Sequence, residues 1–270
     1  MTTDRSTLQS GSVAVVAGGA RGIGRACALR LAELGARVAV LDVDLSGAAV
    51  YGEQLGAASV ADELVARAGD GVALQVDLTD PAATAAAFDE VVARWGGLDA
   101  LVVPAGGAVT PYSRSLASET TVEDLSALLD VNLRVVVNSC RSAVPAMRAS
   151  GGGSIVTVGS SAGLEAAPDG HVAGYGAAKA AVQHYTRYLA NEVGPAGIRV
   201  NCVAPGVIRT ARVLAQAAAT GFIDEAALDI PLRRQGEPDD IADVVQFLLS
   251  PLSSYVSGQV IAVSGGAVHP

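Results

Sequence analysis

Tyr175 and Lys179 stand four residues apart in the run Tyr175-Gly176-Ala177-Ala178-Lys179, and Lys179 is the only lysine among the 18 Lys and Arg residues of the chain. Arginine is a planar fork that stays charged, whereas lysine is a compact ammonium on a flexible stem that fits narrow sites and shifts its pKa readily. A spacing of four puts two side chains one turn apart on one helix face. A free tyrosine, with a pKa near 10, is a poor base at neutral pH, but a nearby ammonium favours its anion. Bringing it into the neutral range takes about 4 kcal/mol of preferential stabilisation of the phenolate, which close charges in a dry pocket can supply. The pair therefore offers proton transfer.

A second constellation lies near the start. An apolar run from Ser12 to Ala17 leads into Ala17-Gly18-Gly19-Ala20-Arg21-Gly22-Ile23-Gly24, and a helix pattern begins at once. Glycines at 18, 22 and 24 let the turn close, the backbone approach a phosphate and the helix pack near the strand, while the helix start offers free N–H groups and partial positive charge to a pyrophosphate. The next apolar run ends in Leu41-Asp42, 18 residues after Gly24. An acid there is placed to accept from a ribose 2'-hydroxyl and repels a 2'-phosphate. Arg21 pulls towards the phosphorylated cofactor, but a carboxylate in the ribose pocket outweighs it. The expectation is a dinucleotide site that takes NAD in preference to NADP.

These groups need a scaffold, and the hydropathy pattern supplies one. Strand-like runs at Ser12 to Ala17, Arg37 to Leu41, Val72 to Val76, Leu98 to Val103, Ser154 to Val158, Ile198 to Val203 and Gln259 to Val263 alternate with helix-like stretches at about 22–34, 60–68, 81–95, 121–149, 174–193 and 238–249. Such alternation predicts an α/β fold: a doubly wound, seven-stranded parallel sheet flanked by helices, a Rossmann fold. Thr79-Asp80-Pro81 and Glu237-Pro238-Asp239-Asp240 read as helix starts. No linker divides the chain, so residues 1–270 are read as a single dinucleotide-binding domain, with a substrate-covering segment at about 209–235.

Half of the residues are apolar, 17% are charged and 4% aromatic, so the core must be built of Ala, Val, Leu and Ile. A net charge of -9 and a pI near 4.8 argue against nucleic acid or an anionic membrane as partner. Cys27, Cys140 and Cys202 are odd in number, widely spaced and set in apolar surroundings, which predicts buried free thiols and no metal site. Residues 1–11 lack the pattern of a secretion signal, and no run of about eighteen apolar residues follows, which points to a cytoplasmic protein.

Taken together, the glycine turn, the Tyr-x-x-x-Lys pair and the strand order resemble the short-chain dehydrogenase/reductase family over essentially the whole length. Ala17 takes the place of the threonine that usually opens the glycine turn, while Gly18, Gly22 and Gly24 are kept and Arg21 and Ile23 lie within the turn beside the cofactor. Asp77, with Leu78 beside it, matches the acid that meets the adenine ring, and Asp130-Val131-Asn132 matches the element that supplies a structural, proton-relay asparagine. Gly159-Ser160-Ser161-Ala162-Gly163 is similar to the serine motif, with Ser160 as the active serine and Ser161 a second candidate. Pro205-Gly206-Val207-Ile208-Arg209-Thr210 is similar to the turn whose isoleucine backbone and threonine hydroxyl hold the nicotinamide carboxamide.

Two departures stand out. The usual Asn-Asn-Ala-Gly after the fourth strand is Val103-Pro104-Ala105-Gly106, which keeps backbone contact at Ala105 and Gly106 but weakens local bracing. Ser160 and Tyr175 are 15 apart, about two more than the family pattern, which predicts a bulged loop around Glu165, Asp169 and His171.

The resemblance implies a hydride transfer between a secondary alcohol, ring hydroxyl or diol and nicotinamide, reversible as ketone reduction. Tyr175 would be the base, Ser160 would hold the substrate oxygen, Lys179 would bind the ribose and Asn132 a water. An epimerase or dehydratase that uses NAD without net redox change, and a non-catalytic dinucleotide-binding protein, are the alternatives. The resemblance also implies a homo-oligomer, a tetramer or dimer. Val109, Leu164, Val213, Leu214 and Phe222 in the loops point to a small, partly hydrophobic substrate. His171 reads more readily as an exposed loop residue than as a substrate contact, and Trp95 as helix-end packing.

Overall fold

The computed structural model describes residues 10–68, 70–218 and 229–268. Seven strands form one parallel sheet: β1 (Val13–Ala17), β2 (Arg37–Asp42), β3 (Gly71–Gln75), β4 (Ala100–Val103), β5 (Gly153–Val158), β6 (Ile198–Pro205) and β7 (Val260–Val263), in the order β3-β2-β1-β4-β5-β6-β7. Each expected strand is present, with bounds shifted by up to two residues.

The helices are α1 (Gly22–Glu33), α2 (Gly47–Val50), α3 (Val60–Ala68), α4 (Pro81–Trp95), α5 (Val122–Leu129), α6 (Val135–Ala149), α7 (Ala173–Val193), α8 (Ala211–Ala218) and α9 (Pro238–Leu249). The stretch 121–149, expected as one helix, is broken into α5 and α6 by a π-helical turn at Asp130–Arg134. Neither α2 nor α8 was expected; both are short and Ala-rich, α2 without a side-chain cap and α8 capped by Thr210, whose Oγ1 accepts from Val213 N–H at 3.3 Å. The two starts that were expected do form caps: Asp80 accepts from Ala82 and Ala83 N–H, and Glu237 and Asp240 make a reciprocal capping box.

The strands are apolar without alternation because both sheet faces are covered. Val13, Val15 and Ala17 face one core with Phe88, Val136, Cys140 and Val182 from α4, α6 and α7. Ala14 and Val16 face the other, with Cys27, Leu31, Leu64 and Ile241 from α1, α3 and α9. All three cysteines are buried free thiols, and burial pushes those of Cys27 and Cys140 up to about 12. Trp95 ends α4 and donates to Asp70 Oδ2 at 2.7 Å, the packing role expected of it.

The strand order reverses between β1 and β4. In such sheets the crevice outside the carboxyl ends of the strands at that point receives the ligand. The glycine turn after β1 and the Pro104 loop after β4 open onto it.

Candidate active site

α7 places Tyr175 and Lys179 on the face turned to the sheet, where Lys179 is buried to 3% exposure. Its start is set from outside the helix: Ser115 Oγ accepts from Val172 N–H at 3.1 Å and Ser115 O from Ala173 N–H at 3.1 Å. Ser160, two residues past β5, caps a 3-10 turn over Ser161–Gly163, its Oγ accepting from Ala162 N–H at 3.2 Å. That turn meets α7 backbone to backbone. A Cβ on Gly163 would stand 2.7 Å from Ala180 N, and one on Gly176 2.7 Å from Ala162 O. The approach brings the Ser160 hydroxyl near enough to Tyr175 to favour its phenolate.

The electrostatics differ from the sequence-based expectation. Burial holds the Tyr175 phenol above its ordinary value, opposed by the nearby Ser160 hydroxyl and by the charge of Arg212. Lys179 does not take part in this balance. Its Nζ donates to Val158 O at 2.9 Å and lies 5.9 Å from the centroid of the Tyr175 ring. Burial lowers Lys179 to about 8, Cys202 working against the shift and Arg212 with it. In the protein alone, desolvation therefore dominates both groups.

Asn132 lies in the π-helical turn and is fully buried. Its Nδ2 donates to Gly107 O and Leu128 O at 3.0 and 2.8 Å, and its Oδ1 accepts from Gly107 N–H at 2.9 Å. Both amide hydrogens are committed to protein, so a water placed here has to donate to an oxygen. This side chain, with the Ala105 N–H to Ala17 O bond of 3.0 Å, braces the loop whose two family asparagines are missing.

Beside these groups a cleft of about 640 Å³ is lined by Gly18, Arg21, Gly22, Ile23, Gly24, Asp42, Asp77, Leu78, Ala105, Gly106 and Thr210, all expected at the cofactor. Pro205, Gly206 and Ile208 do not line it. They hold the turn behind Thr210, with Gly206 N–H donating to Val263 O at 3.0 Å and Ile208 bridged to Gly236. The fit to a dinucleotide rests on close backbone approach. Gly18 has φ +96°, and a Cβ there would stand 2.6 Å from Ala105 Cα. A Cβ on Gly24 would collide with Gly18 O.

Several acids and bases in the cleft are partly engaged. Asp42 Oδ2 accepts from Ala20 N–H at 3.0 Å, bracing the glycine turn from the end of β2. Asp77 Oδ1 accepts from the Thr79 N–H and hydroxyl at 2.9 and 2.7 Å, which hold its carboxyl below the usual range. Arg21 stacks over Tyr51, 4.8 Å from the ring centroid. Glu53 accepts from Gly22 N–H at 3.0 and 3.2 Å and pairs with Arg25 at 3.0 Å. Tyr51, Glu53 and Arg212 were not anticipated. Each arrives on a segment after β2 or β6 whose path no short-range spacing encodes.

The substrate-side loops are tied together. Tyr112 stacks on His171 with ring centroids 4.0 Å apart and donates to Asp169 Oδ2 at 2.6 Å. The expected bulge between Ser160 and Tyr175 is thus a clasped loop, and His171 Nδ1 lies 3.1 Å from Ser115 Oγ. Val109 is exposed and lines the cleft. Leu164, Val213 and Leu214 are half-buried, while Phe222 lies outside the described residues, as do 219–228 of the expected covering segment.

A parallel sheet with a glycine turn at its switch point, and a Ser-Tyr-Lys cluster beside it, define an oxidoreductase of the Rossmann type that binds a nicotinamide dinucleotide. Comparison with known proteins agrees. A family model described as enoyl-(acyl carrier protein) reductase matches residues 17–268. Cyclohexanol dehydrogenase of Rhodococcus sp. is 44% identical over 99% of both chains. The 7alpha-hydroxysteroid dehydrogenase of Escherichia coli is 33% identical over 96% of this chain and 95% of its own.

Among solved structures, gox2181 superposes with a TM-score of 0.87 at 32% identity, covering 99% of each chain. A 7 alpha-hydroxysteroid dehydrogenase complexed with NADH and 7-oxo glycochenodeoxycholic acid gives 0.86 at 31%, covering 100% of this chain and 99% of that one. The chain belongs to the short-chain dehydrogenase/reductase family and is an oxidoreductase of CH–OH groups. Among the described residues no helix is long and apolar enough to cross a membrane.

Proposed function

We propose that this protein interconverts a cyclic, largely apolar secondary alcohol and its ketone with NAD as the hydride acceptor. The observation that carries the reading is the close approach of the Ser160 turn to Tyr175 on α7, with buried Lys179 one turn further along that helix. The bound nicotinamide supplies the hydride chemistry. Tyr175 takes the carbinol proton. Ser160 donates to the same oxygen and stabilises the charge that develops on it. Lys179 binds the ribose hydroxyls, and its ammonium, freed from Val158 O, favours the phenolate. Asn132 holds a water through an oxygen. In the direction of ketone reduction the same groups return the proton.

Two observations favour NAD. Asp42 stands at the end of β2 where the adenosine ribose would lie, and Arg21 is turned onto Tyr51, where the carboxylate of Asp44 shares its charge. The NADH complex of the hydroxysteroid dehydrogenase relative agrees. The similarity to a cyclohexanol dehydrogenase and the apolar Leu164, Val213 and Leu214 favour an alicyclic substrate.

The test offers cyclohexanol and related ring alcohols with NAD and NADP in parallel, to wild type and Tyr175→Phe. Removing a general base typically costs 10²–10⁴ in rate, so the variant is expected to lose roughly a thousandfold in turnover while binding NADH as tightly as wild type. Undiminished turnover by Tyr175→Phe would sink the mechanism. Substrate consumed without NADH accumulating would replace it with chemistry that has no net redox change, and a strong preference for NADP would overturn the role of Asp42.

A further inference from the structure

Arg212 is the second residue of α8 and occupies none of the motif positions discussed above. Its guanidinium folds back over the loop after β4. Nη1 lies 3.5 Å from Gly106 O, and a Cβ on Gly107 would collide with the guanidinium. It lines the same cleft as Gly18, Arg21 and Gly22, and Thr210, two residues earlier, packs 3.3 Å from where a Gly22 Cβ would be. Arg212 and the glycine turn thus line one cleft, with the start of α8 packed against the turn.

Its surroundings leave it without a counter-charge. Burial and the nearby charge of Arg21 both hold it below the usual guanidinium range, and only the phenols of Tyr175 and Tyr51 act the other way. None of the ion pairs among the described residues includes Arg212, in a chain with an excess of acids. Two arginines on one cleft repel each other, and none of the acids that also line it forms an ion pair with either among the described residues, so an anion bound between them would be favoured.

We propose that Arg212 is a phosphate-binding residue of the cofactor cleft, closing on the pyrophosphate from the α8 side while the glycine turn and the start of α1 hold it from the other. The proposal rests on the dinucleotide reading above. The backbone it covers, Gly106 and Gly107, belongs to the loop that backs onto Gly18. A guanidinium fork matches two phosphate oxygens at once. Glu53 already takes the N–H of Gly22, so the helix start has one donor fewer for an anion, and Arg212 makes up that shortfall. The cofactor would then fix the start of α8, next to the substrate.

The experiment measures equilibrium affinities of wild type, Arg212→Met and Arg212→Lys for NADH and for ADP-ribose, which has the pyrophosphate without the nicotinamide. Circular dichroism establishes that each variant is folded. Loss of a charge-assisted bond predicts that Arg212→Met binds both ligands about ten- to a hundredfold more weakly, with a shallower salt dependence, and that Arg212→Lys falls in between. Unchanged affinity for both ligands overturns the proposal. So does a loss confined to NADH, which would place the guanidinium at the nicotinamide. Unchanged cofactor affinity with a raised KM for an alcohol would make it a substrate residue, which overturns it too. A wild-type protein that binds neither ligand takes the dinucleotide reading down with it, whereas wild-type binding with an unaffected Arg212→Met removes only the role given to Arg212.

Discussion

The ammonium of Lys179 donates to Val158 O, is buried to 3% exposure and lies in the fields of Cys202 and Arg212. Burial lowers its pKa to about 8, against 10.5 when free. Between those two values the unfolded chain holds a proton that the folded chain has lost, so folding stability rises with pH across that window. Below it the buried charge costs about 3 kcal/mol. Lys179→Met removes that cost, so its stability relative to wild type should be most favourable near neutral pH and decline as pH approaches about 10. Denaturant melts at several pH values check this, and a difference that does not vary with pH refutes it. At this scale the reacting residues were legible, because Tyr175 and Lys179 share one helix and Ser160 follows directly on a strand whose position the pattern marks. Arg212, Tyr51 and Glu53 were not, since two separate segments, one after β2 and one after β6, must first fold over the cleft to bring them there.

The start of α7 carries the clearest strain among the elements. Val172 adopts φ 54°, a left-handed conformation that is costly for a β-branched residue, and both Val172 and Ala173 are held in place by Ser115. Glycine there relieves about 1–2 kcal/mol of strain and gives back part of it through a more flexible unfolded chain. Val172→Gly is therefore expected to be more stable by roughly 0.5–1 kcal/mol, measured by equilibrium unfolding, while turnover falls because the first turn that positions Tyr175 is less constrained. A destabilised glycine variant would show that the conformation is not strained. The strands and longer helices were readable from period and caps. The π-helical turn was not, because Asp130–Arg134 continues the same apolar rhythm as its neighbours and only the packing of Asn132 against Gly107 distinguishes it.

For the molecule as a whole, a ligand that binds only the folded state at a hundred times its Kd adds about 2.7 kcal/mol, which for a chain of this size corresponds to a rise of about 5–10 °C in Tm. NADH at such a concentration should produce that rise, and NADPH at the same concentration a much smaller one, because its extra phosphate meets Asp42. Equal shifts in a thermal melt would remove the argument for NAD. The doubly covered sheet was the most legible feature of all, since strands buried on both faces have no polar alternation to disguise them. One consequence of the chain's composition concerns chemical access. With its single lysine shut away at 3% exposure, the protein offers amine-directed reagents no reactive surface side chain beyond the chain terminus. Acylation of Lys179 by such a reagent would therefore act as a stopwatch for the opening of the floor of the site, read residue-specifically by mass spectrometry without an engineered label.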